Sequence, residues 1–248
     1  MKKISLKNIF AVIRIGNLTV IFCFLFVLIF SSSVYFLFNT NWTTTNGALN
    51  SVPTVIVDAG HGGEDGGAVA VDKSNEKDYN LEIALKLEQI LKLNGFQVIM
   101  TRTTDTMTCD DGLNTIRSRK VSDIKNRFRI IEENPNALFV SIHQNKFSDA
   151  SQNGTQVFYS DNNPRSKALA DTIQQSVVEG VQPDNKRVSK KSGKEIYLLY
   201  HAESTAVLVE CGFVSNYEEL QKLKSEEYQK QMAMLITDGI IKYNRMGD

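Results

Sequence analysis

The stretch TVIVDAGHGGEDGGA, residues 54–68, joins a short apolar segment to a loop in which five of the eight residues from 60 to 67 are glycine. Its first part, Thr54 to Asp58, is apolar and rich in β-branched residues, which is typical of a strand buried in a parallel sheet. The glycines predict a tight loop between this strand and the next element. His61 lies in that loop, just beyond the end of the predicted strand.

Outward from this stretch, apolar strands alternate with segments in which apolar residues recur at helical spacing. This order predicts one α/β domain over residues 54–248, with a mostly parallel twisted sheet flanked by helices. The strands are expected at 54–58, 96–101, 137–143, 154–159, 196–199 and 205–210. The first helix is expected to start at Glu76 and to have its apolar residues at 81–91, and the other helices are expected at 121–133, 166–178, 217–222 and 226–243.

The N-terminal region has the pattern of an exported protein, with basic residues followed by a long apolar segment. Residues 18–38 contain no charge, and about 20 apolar residues suffice to cross a bilayer as a helix. Residues 1–17 are basic, which predicts a cytoplasmic N-terminus and an extracytoplasmic domain, anchored or secreted. An uncleaved transmembrane anchor and a cleaved signal segment both remain open. Residues 39–53 are polar and without periodicity, as in a linker.

The charge balance argues against nucleic acid as a partner. The chain has 28 basic and 28 acidic residues, but four of the basic ones (Lys2, Lys3, Lys7 and Arg14) precede the apolar segment. The remaining 24 basic residues face 28 acidic ones, which leaves that part of the chain with a formal charge of −4. A mildly acidic domain lacks the electrostatic footprint of nucleic-acid binding.

Two of the three histidines occupy equivalent places in the predicted fold. His61 follows the first strand, His143 ends the third, and Glu210 ends the last strong one. Side chains at the carboxyl ends of parallel strands converge on one crevice, and Glu76 at the start of the first helix adds a carboxylate there. Two His and one carboxylate form a zinc-hydrolase ligand set, which leaves Glu210 as general base and proton shuttle.

The sequence resembles a known family, the zinc-dependent N-acetylmuramoyl-L-alanine amidases of the Amidase_3 type. The resemblance extends from residue 55 to about residue 243 and rests on several motifs in the same order. These motifs are VIVDAGHGGEDGGA (55–68), Glu76, VIMTR (98–102), FVSIHQN (139–145), GTQVFY (154–159) and LVECGFVSN (208–216).

The resemblance implies a site and an activity. The family's zinc ligands fall on His61, Glu76 and His143, and its catalytic carboxylate falls on Glu210. The implied cofactor is Zn²⁺, and the implied substrate is peptidoglycan, meaning glycan strands that carry stem peptides. The implied reaction is hydrolysis of the amide between N-acetylmuramic acid and L-alanine. Some family members need an activating protein partner, and the sequence neither identifies nor excludes one.

Within this family the chain is most similar to the sporulation-linked CwlD branch. It has one membrane-proximal segment, one catalytic domain and no appended wall-binding repeats. That branch implies removal of stem peptides during maturation of the spore cortex, formation of muramic-δ-lactam and support of germination. The chain departs from the family at Tyr200, where an arginine is frequent. A contact from arginine to substrate is therefore not expected there, and the adjacent His201 is expected to be an ordinary loop residue.

Other functions are less consistent with the sequence. The pattern G-x-G-x-x-G starting at Gly60 fails because Asp65 replaces the third glycine, and its charge would repel a pyrophosphate. No G-x-S-x-G motif of a serine hydrolase occurs. The basic segment at 186–194 is expected to be a solvated loop. The alternative that remains is a non-catalytic peptidoglycan-binding or scaffold protein on an amidase fold.

Overall fold

The structure is a computed structural model that describes residues 52–246. The predicted cytoplasmic N-terminus (1–17) and the predicted transmembrane or signal segment (18–38) lie outside the described residues, as does nearly all of the predicted linker (39–53). Within residues 52–246, no helix combines the length and the apolar character needed to cross a bilayer.

The described residues contain one six-stranded sheet with the strand order β2-β1-β3-β6-β4-β5. Strands β2, β1, β3 and β6 are parallel, β4 is antiparallel to β6, and β5 is parallel to β4. The prediction of a mostly parallel sheet is therefore confirmed. The strands are β1 (Thr54–Ala59), β2 (Gln97–Met100), β3 (Leu138–Asn145), β4 (Gln156–Tyr159), β5 (Lys190–Lys191) and β6 (Ala206–Phe213).

Helices cover both faces of the sheet, which confirms the flanked α/β architecture. In the described part of the chain they are α1 (Glu76–Leu93), α2 (Ile116–Glu133), α3 (Arg165–Val181), α4 (Tyr197–His201), α5 (Tyr217–Lys224) and α6 (Glu226–Met246). Helices α1, α3, α5 and α6 contribute to the larger apolar core on one face. Helices α2 and α4 contribute to the smaller core on the other face, against Ile56, Phe139 and Leu208.

The strand predicted at 196–199 is wrong, because these residues begin the short helix α4. Its backbone closes helical hydrogen bonds, from the N–H of Tyr200 to the carbonyl of Ile196 (2.9 Å) and from Ala202 to Leu198 (2.9 Å). A short apolar segment has no periodicity that separates a strand from a helical turn. The sheet edge is formed instead by β5, inside the segment that was expected to be a solvated loop.

Helix α2 begins at Ile116, five residues before its predicted start. Thr115 caps it, since its Oγ1 accepts the backbone N–H of Ser118 at 3.1 Å, and the Ser118 side chain in turn accepts the N–H of Thr115. A capping box normally uses Glu or Gln at the third position, so serine there gave only a weak start signal. The early start matters because the first turns of α2 carry basic residues that contact the glycine-rich loop.

Candidate metal centre

Three of the four predicted site residues meet at the carboxyl edge of the parallel sheet. His61 follows β1, Glu76 is the first residue of α1, and His143 lies in β3. One ligand atom from each of the three lies within 4.8 Å of the others. Strands β3 and β6 continue past the predicted ends, to Asn145 and Phe213, with a register shift after His143. The site residues therefore lie near the strand ends, not at the terminal residues.

The two imidazoles face the two oxygens of one carboxylate. Nε2 of His61 is 3.3 Å from Oε2 of Glu76, and Nδ1 of His143 is 2.9 Å from Oε1 of Glu76. The two rings meet edge to face, with centroids 4.9 Å apart. His61 and His143 keep 25% and 20% of their side-chain surface exposed, so one side of this group is open to solvent. Two imidazole nitrogens and a carboxylate facing one another can hold a divalent metal ion.

Glu76 is buried but well supplied with hydrogen bonds. Its Oε2 accepts the backbone N–H of Ala68 at 2.8 Å, and its Oε1 accepts the N–H of Gln144 and the amide of Asn80, both at 3.1 Å. Burial alone would raise the pKa of Glu76, but the hydrogen bonds and charges of His143 and His61 hold it well below its usual range. This carboxylate is therefore kept ionised, as a metal ligand must be.

A second carboxylate orients His61. Nδ1 of His61 is 2.9 Å from Oδ2 of Asp65, and the other oxygen of Asp65 is 2.6 Å from Nζ of Lys120. A carboxylate on one ring nitrogen fixes the tautomer and leaves the other nitrogen free to bind metal. Burial disfavours the imidazolium, but its hydrogen bonds to the carboxylates of Asp65 and Glu76 outweigh this effect and raise the pKa of His61 to about 10 in the metal-free protein.

The backbone around His61 is held by two buried arginines that were not predicted as site residues. Arg127 donates to the carbonyl oxygens of Ala59 (2.8 Å) and His61 (2.6 Å), and it is paired with buried Asp58 at 2.6 Å. Arg102 donates to Ala59 (2.8 Å) and Gly60 (3.0 Å). His61 has a φ of 62°, which is uncommon for a residue other than glycine. The arginines help to hold this conformation.

Glycines leave the space that the imidazoles occupy. A Cβ on Gly60 would lie 2.2 Å from Nε2 of His143, and a Cβ on Gly67 would lie 2.6 Å from Oε2 of Glu76 and 2.7 Å from Cδ2 of His61. Gly67 also has a φ of 68°, which favours glycine. The glycine-rich loop therefore serves close packing around the donor group, which agrees with the rejection of a nucleotide loop.

Glu210 lies beside this group on the neighbouring strand β6, where its Cα is in register with His143 of β3. Its Oε2 is buried and has no hydrogen-bond partner within the described residues. Burial raises the pKa of Glu210 to about 7. A cavity of about 400 Å³ opens beside it and is also lined by His143. Glu210 can therefore be protonated or ionised near neutral pH, and it lies in the wall of this cavity.

His201 does not join the metal-ligand group. Its ring packs against Tyr197 (centroids 4.4 Å apart), Tyr200 (5.1 Å) and Phe128 (6.0 Å). It lines a different cavity, together with Glu132 and others. His201 was expected in a loop, but it is the last residue of helix α4.

Comparison with known proteins identifies the family. The sequence profile of the Amidase_3 family, described as N-acetylmuramoyl-L-alanine amidase, matches residues 55–242. The chain belongs to this amidase family. The match spans every strand of the sheet except the first residue of β1, and it includes all four predicted site residues.

Similar proteins place the chain in the CwlD branch of the amidase family, as predicted. The germination-specific N-acetylmuramoyl-L-alanine amidase of Bacillus subtilis (strain 168) is 32% identical over 88% of this chain and 90% of its own length. The CwlD amidase from Clostridioides difficile, solved in complex with the GerS lipoprotein, is 40% identical, with a TM-score of 0.76 over 78% of this chain and 99% of the other. AmiC2 of Nostoc punctiforme, another amidase, is 31% identical, with a TM-score of 0.65 over 78% of this chain and 97% of the other.

Proposed function

We propose that this amidase hydrolyses the amide bond between N-acetylmuramic acid and L-alanine in peptidoglycan. Membership of the family supports this reaction class. The observation that carries the proposal is the meeting of His61, Glu76 and His143 within 4.8 Å, with Glu210 on the adjacent strand and a cavity beside it. A metal-binding group and a separate buried acid are the two parts that metal-dependent amide hydrolysis needs.

We propose Zn²⁺ as the metal, held by Nε2 of His61, Nδ1 of His143 and the carboxylate of Glu76. Two His and one carboxylate, with a further position open, are typical of catalytic zinc. The glycine loop supports the assignment because a Cβ at Gly67 would lie 2.6 Å from Oε2 of Glu76, and a Cβ at Gly60 would displace the ring of His143. When bound, Zn²⁺ supplies Lewis acidity, which polarises the scissile carbonyl and makes water more acidic.

Glu210 is proposed as the general base and proton shuttle. Its unpartnered Oε2 is free to accept a proton from the attacking water, and it can return that proton to the departing amine of L-alanine. Asp65 accepts a hydrogen bond from the Nδ1 proton of His61, and the lone pair of Nε2 therefore remains available to bind the metal. Glu76 stays ionised because three N–H groups hold it.

We propose a role in spore cortex maturation. The support is the similarity to a germination-specific amidase over most of both chains. Removal of stem peptides would expose muramic acid for conversion into muramic-δ-lactam, and the lactam would support germination. Spores that lack this protein are therefore expected to lack muramic-δ-lactam in their cortex. A normal lactam content in such spores would refute the role without affecting the reaction.

Domain layout, location and partner are further parts of the proposal. Residues 54–248 would act outside the cytoplasm, carried there by residues 18–38 and separated from the membrane by the linker 39–53. A relative has been solved in complex with a lipoprotein, which supports the existence of an extracytoplasmic protein partner for this chain as well.

Digestion of purified peptidoglycan, followed by mass spectrometry, tests the proposed reaction. Zinc-loaded protein is expected to release stem peptides with a free N-terminal L-alanine. Glu210→Gln should retain zinc and lose at least about a hundredfold in rate, because general-base catalysis contributes on that order. Glu133→Gln makes the same chemical change at an exposed position and should keep full activity.

Two outcomes would contradict the proposed roles. Peptide release by Glu210→Gln at the normal rate would exclude Glu210 as the base. Binding of zinc and peptidoglycan by the wild-type protein without any peptide release would favour the alternative, a non-catalytic binding or scaffold protein on an amidase fold.

A further inference from the structure

The cavity beside Glu210 is walled on one side by helix α4 and the residues just before it. Its lining includes Glu195, Ile196 and Tyr197 from this wall. The floor is apolar and comes from the sheet and from α2, with Phe139, Leu208 and Ile124 among its residues. The cavity therefore has a volume of about 400 Å³, and most of its lining is apolar. A long alkyl side chain would bury its methylene groups there.

The charges that line this cavity have one sign. Among the residues 52–246 that the structure describes, two carboxylates line it, Glu210 and Glu195, and no Lys or Arg does. His143 also lines it, but as a metal ligand it would be neutral. The neighbouring Lys194 is directed elsewhere, with Nζ 6.0 Å from the centre of the Tyr200 ring, outside the cavity lining. Within the described part of the chain, the carboxylate of Glu195 therefore lacks a cationic partner in this cavity.

The carboxylate of Glu195 is held by its own loop. Its Oε1 accepts the backbone N–H of Gly193 at 3.2 Å. Glu195 is exposed, and its carboxylate keeps lone pairs that this single hydrogen bond does not use. Glu195 is thus an accessible acid among the residues that line this cavity.

We infer that Glu195 is a specificity-determining residue that binds the side-chain ammonium of a diamino acid in the stem peptide. A side chain with apolar methylene groups and a terminal cation matches a cavity with an apolar body and, at Glu195, a carboxylate that the proposed reaction does not use. Glu210 remains the proton shuttle, so the two acids have separate tasks. This inference rests on the proposed function, because it assumes that the stem peptide lies along this cavity while its first amide is cleaved.

Two muropeptides that differ only in acetylation of the side-chain amine test the inference. For the wild-type, zinc-loaded protein, the free amine is expected to give about a tenfold higher kcat/KM, which corresponds to about 1.4 kcal/mol. The difference should appear in KM and not in kcat, because the ammonium is remote from the reacting bond. In Glu195→Gln the preference should disappear, whereas Glu195→Asp should retain part of it.

Glu203→Gln is the matched control, since Glu203 lines the separate cavity next to His201 and its replacement should leave the preference intact. The dissociation constants of both muropeptides, measured by calorimetry, give a second readout that needs no turnover. An equal preference in the wild type and Glu195→Gln, in either readout, would overturn the role of Glu195. Absence of turnover with a Glu195-dependent difference in affinity would refute the hydrolytic function but support the binding site.

Discussion

At the scale of single residues, the centre of the site is a carboxylate placed between two imidazoles. Glu76 is buried, and both of its oxygens face a ring nitrogen while accepting N–H groups. Burial of an unpaired charge would be costly, so this arrangement favours a protonated His61 in the metal-free protein, where the pKa of that imidazole is raised. A metal ion would supply the positive charge in place of that proton. Metal binding should therefore be coupled to proton release.

The coupling predicts that zinc affinity increases with pH. The pKa of His61 is raised to about 10 in the metal-free protein, so this ring is cationic at neutral pH and must lose a proton before Nε2 can bind. We expect the affinity to rise steadily from about pH 6 to about pH 8, because this whole range lies below the pKa of about 10 of His61 in the metal-free protein. Calorimetry in buffers of different ionisation enthalpy measures the released protons. An affinity independent of pH, with no proton release, would contradict the arrangement.

The raised pKa of Glu210 predicts that the metal-free protein becomes less stable as the pH rises. Burial raises its pKa from 4.5 to about 7, so its favourable contribution is complete below pH 4.5 and is lost as the pH rises through 7. Glu210→Gln mimics the protonated form. In the metal-free protein the variant should exceed the wild type in unfolding free energy by up to about 3 kcal/mol at about pH 8.

Urea denaturation at the two ends of this range provides the measurement. Near pH 5 the stabilities of Glu210→Gln and the wild type should be similar, because the native carboxyl is then largely protonated. The exposed control Glu133→Gln should show no comparable dependence on pH. A Glu210→Gln variant that is less stable than the wild type at the higher pH would show that the carboxylate has a partner in the folded state.

At the scale of elements, the glycine-rich loop and helix α1 together position the side chains of the metal-ligand group. The N–H of Ala68, at the end of the loop, binds Glu76, the first residue of α1. Lys77 binds the carbonyl of Gly63 at 2.7 Å and Asp105 at 2.6 Å, which ties the loop to the segment after β2. The loop is therefore fixed by hydrogen bonds on both sides, and its glycines leave room for the side chains of the metal-ligand group.

Gly67→Ala tests the loop. The new Cβ would lie 2.6 Å from Oε2 of Glu76, and the loop backbone would require alanine to adopt a φ of 68°. We expect loss of zinc occupancy, together with about 1–2 kcal/mol of stability from the backbone strain. Gly95→Ala is the matched control, since its φ is 85° but nothing lies within 4 Å of a Cβ there. It should lose similar stability and keep its zinc. Full zinc occupancy in Gly67→Ala would contradict the packing argument.

Elements with a strong apolar pattern were predictable from the sequence, and elements defined by capping or by partners were not. Strands β1, β3 and β6 contain largely apolar segments, so their existence was clear although β3 and β6 extend further than expected. The residues at 196–199 gave no usable period, and α4 was mistaken for a strand. Thr115 and Ser118 cap α2 through hydroxyls, which the sequence does not distinguish from loop residues.

The meeting of His61, Glu76 and His143 was predictable because strand ends fix where side chains converge. The buried pair of Arg127 and Asp58 was not, since Arg127 lies in a basic segment that resembles a solvated helix face. Only the tertiary structure shows that this arginine supports the backbone of the loop. Glu195 was missed for a similar reason, because its cavity depends on α4 being helical.

At the scale of the whole molecule, the sheet brings together residues that are far apart in the chain. Glu76 and His143 are 67 positions apart and their side chains are 2.9 Å apart. Arg127 is 69 positions from Asp58 and holds it at 2.6 Å. Such a site forms only when the domain is folded, so metal binding should stabilise the whole domain and not a local segment.

The export proposal assigns residues 18–38 the role of carrying this domain out of the cytoplasm. If residues 18–38 are an uncleaved anchor, the exported protein should keep its full mass of 27.8 kDa and remain with the membrane fraction. Intact-mass measurement of the protein isolated from cells distinguishes this from a cleaved signal, which would remove the apolar residues. A full-length chain recovered in the cytoplasmic fraction would contradict both forms of the export proposal.

X-ray diffraction from crystals grown with zinc, with data collected on both sides of the zinc absorption edge, tests the central claim most directly. We predict a single strong anomalous peak about 2.0–2.2 Å from Nε2 of His61, Nδ1 of His143 and an oxygen of Glu76. The carboxylate of Glu210 should lie nearby without binding the ion. A peak at other residues, or none at these three in fully zinc-loaded protein, would contradict the account.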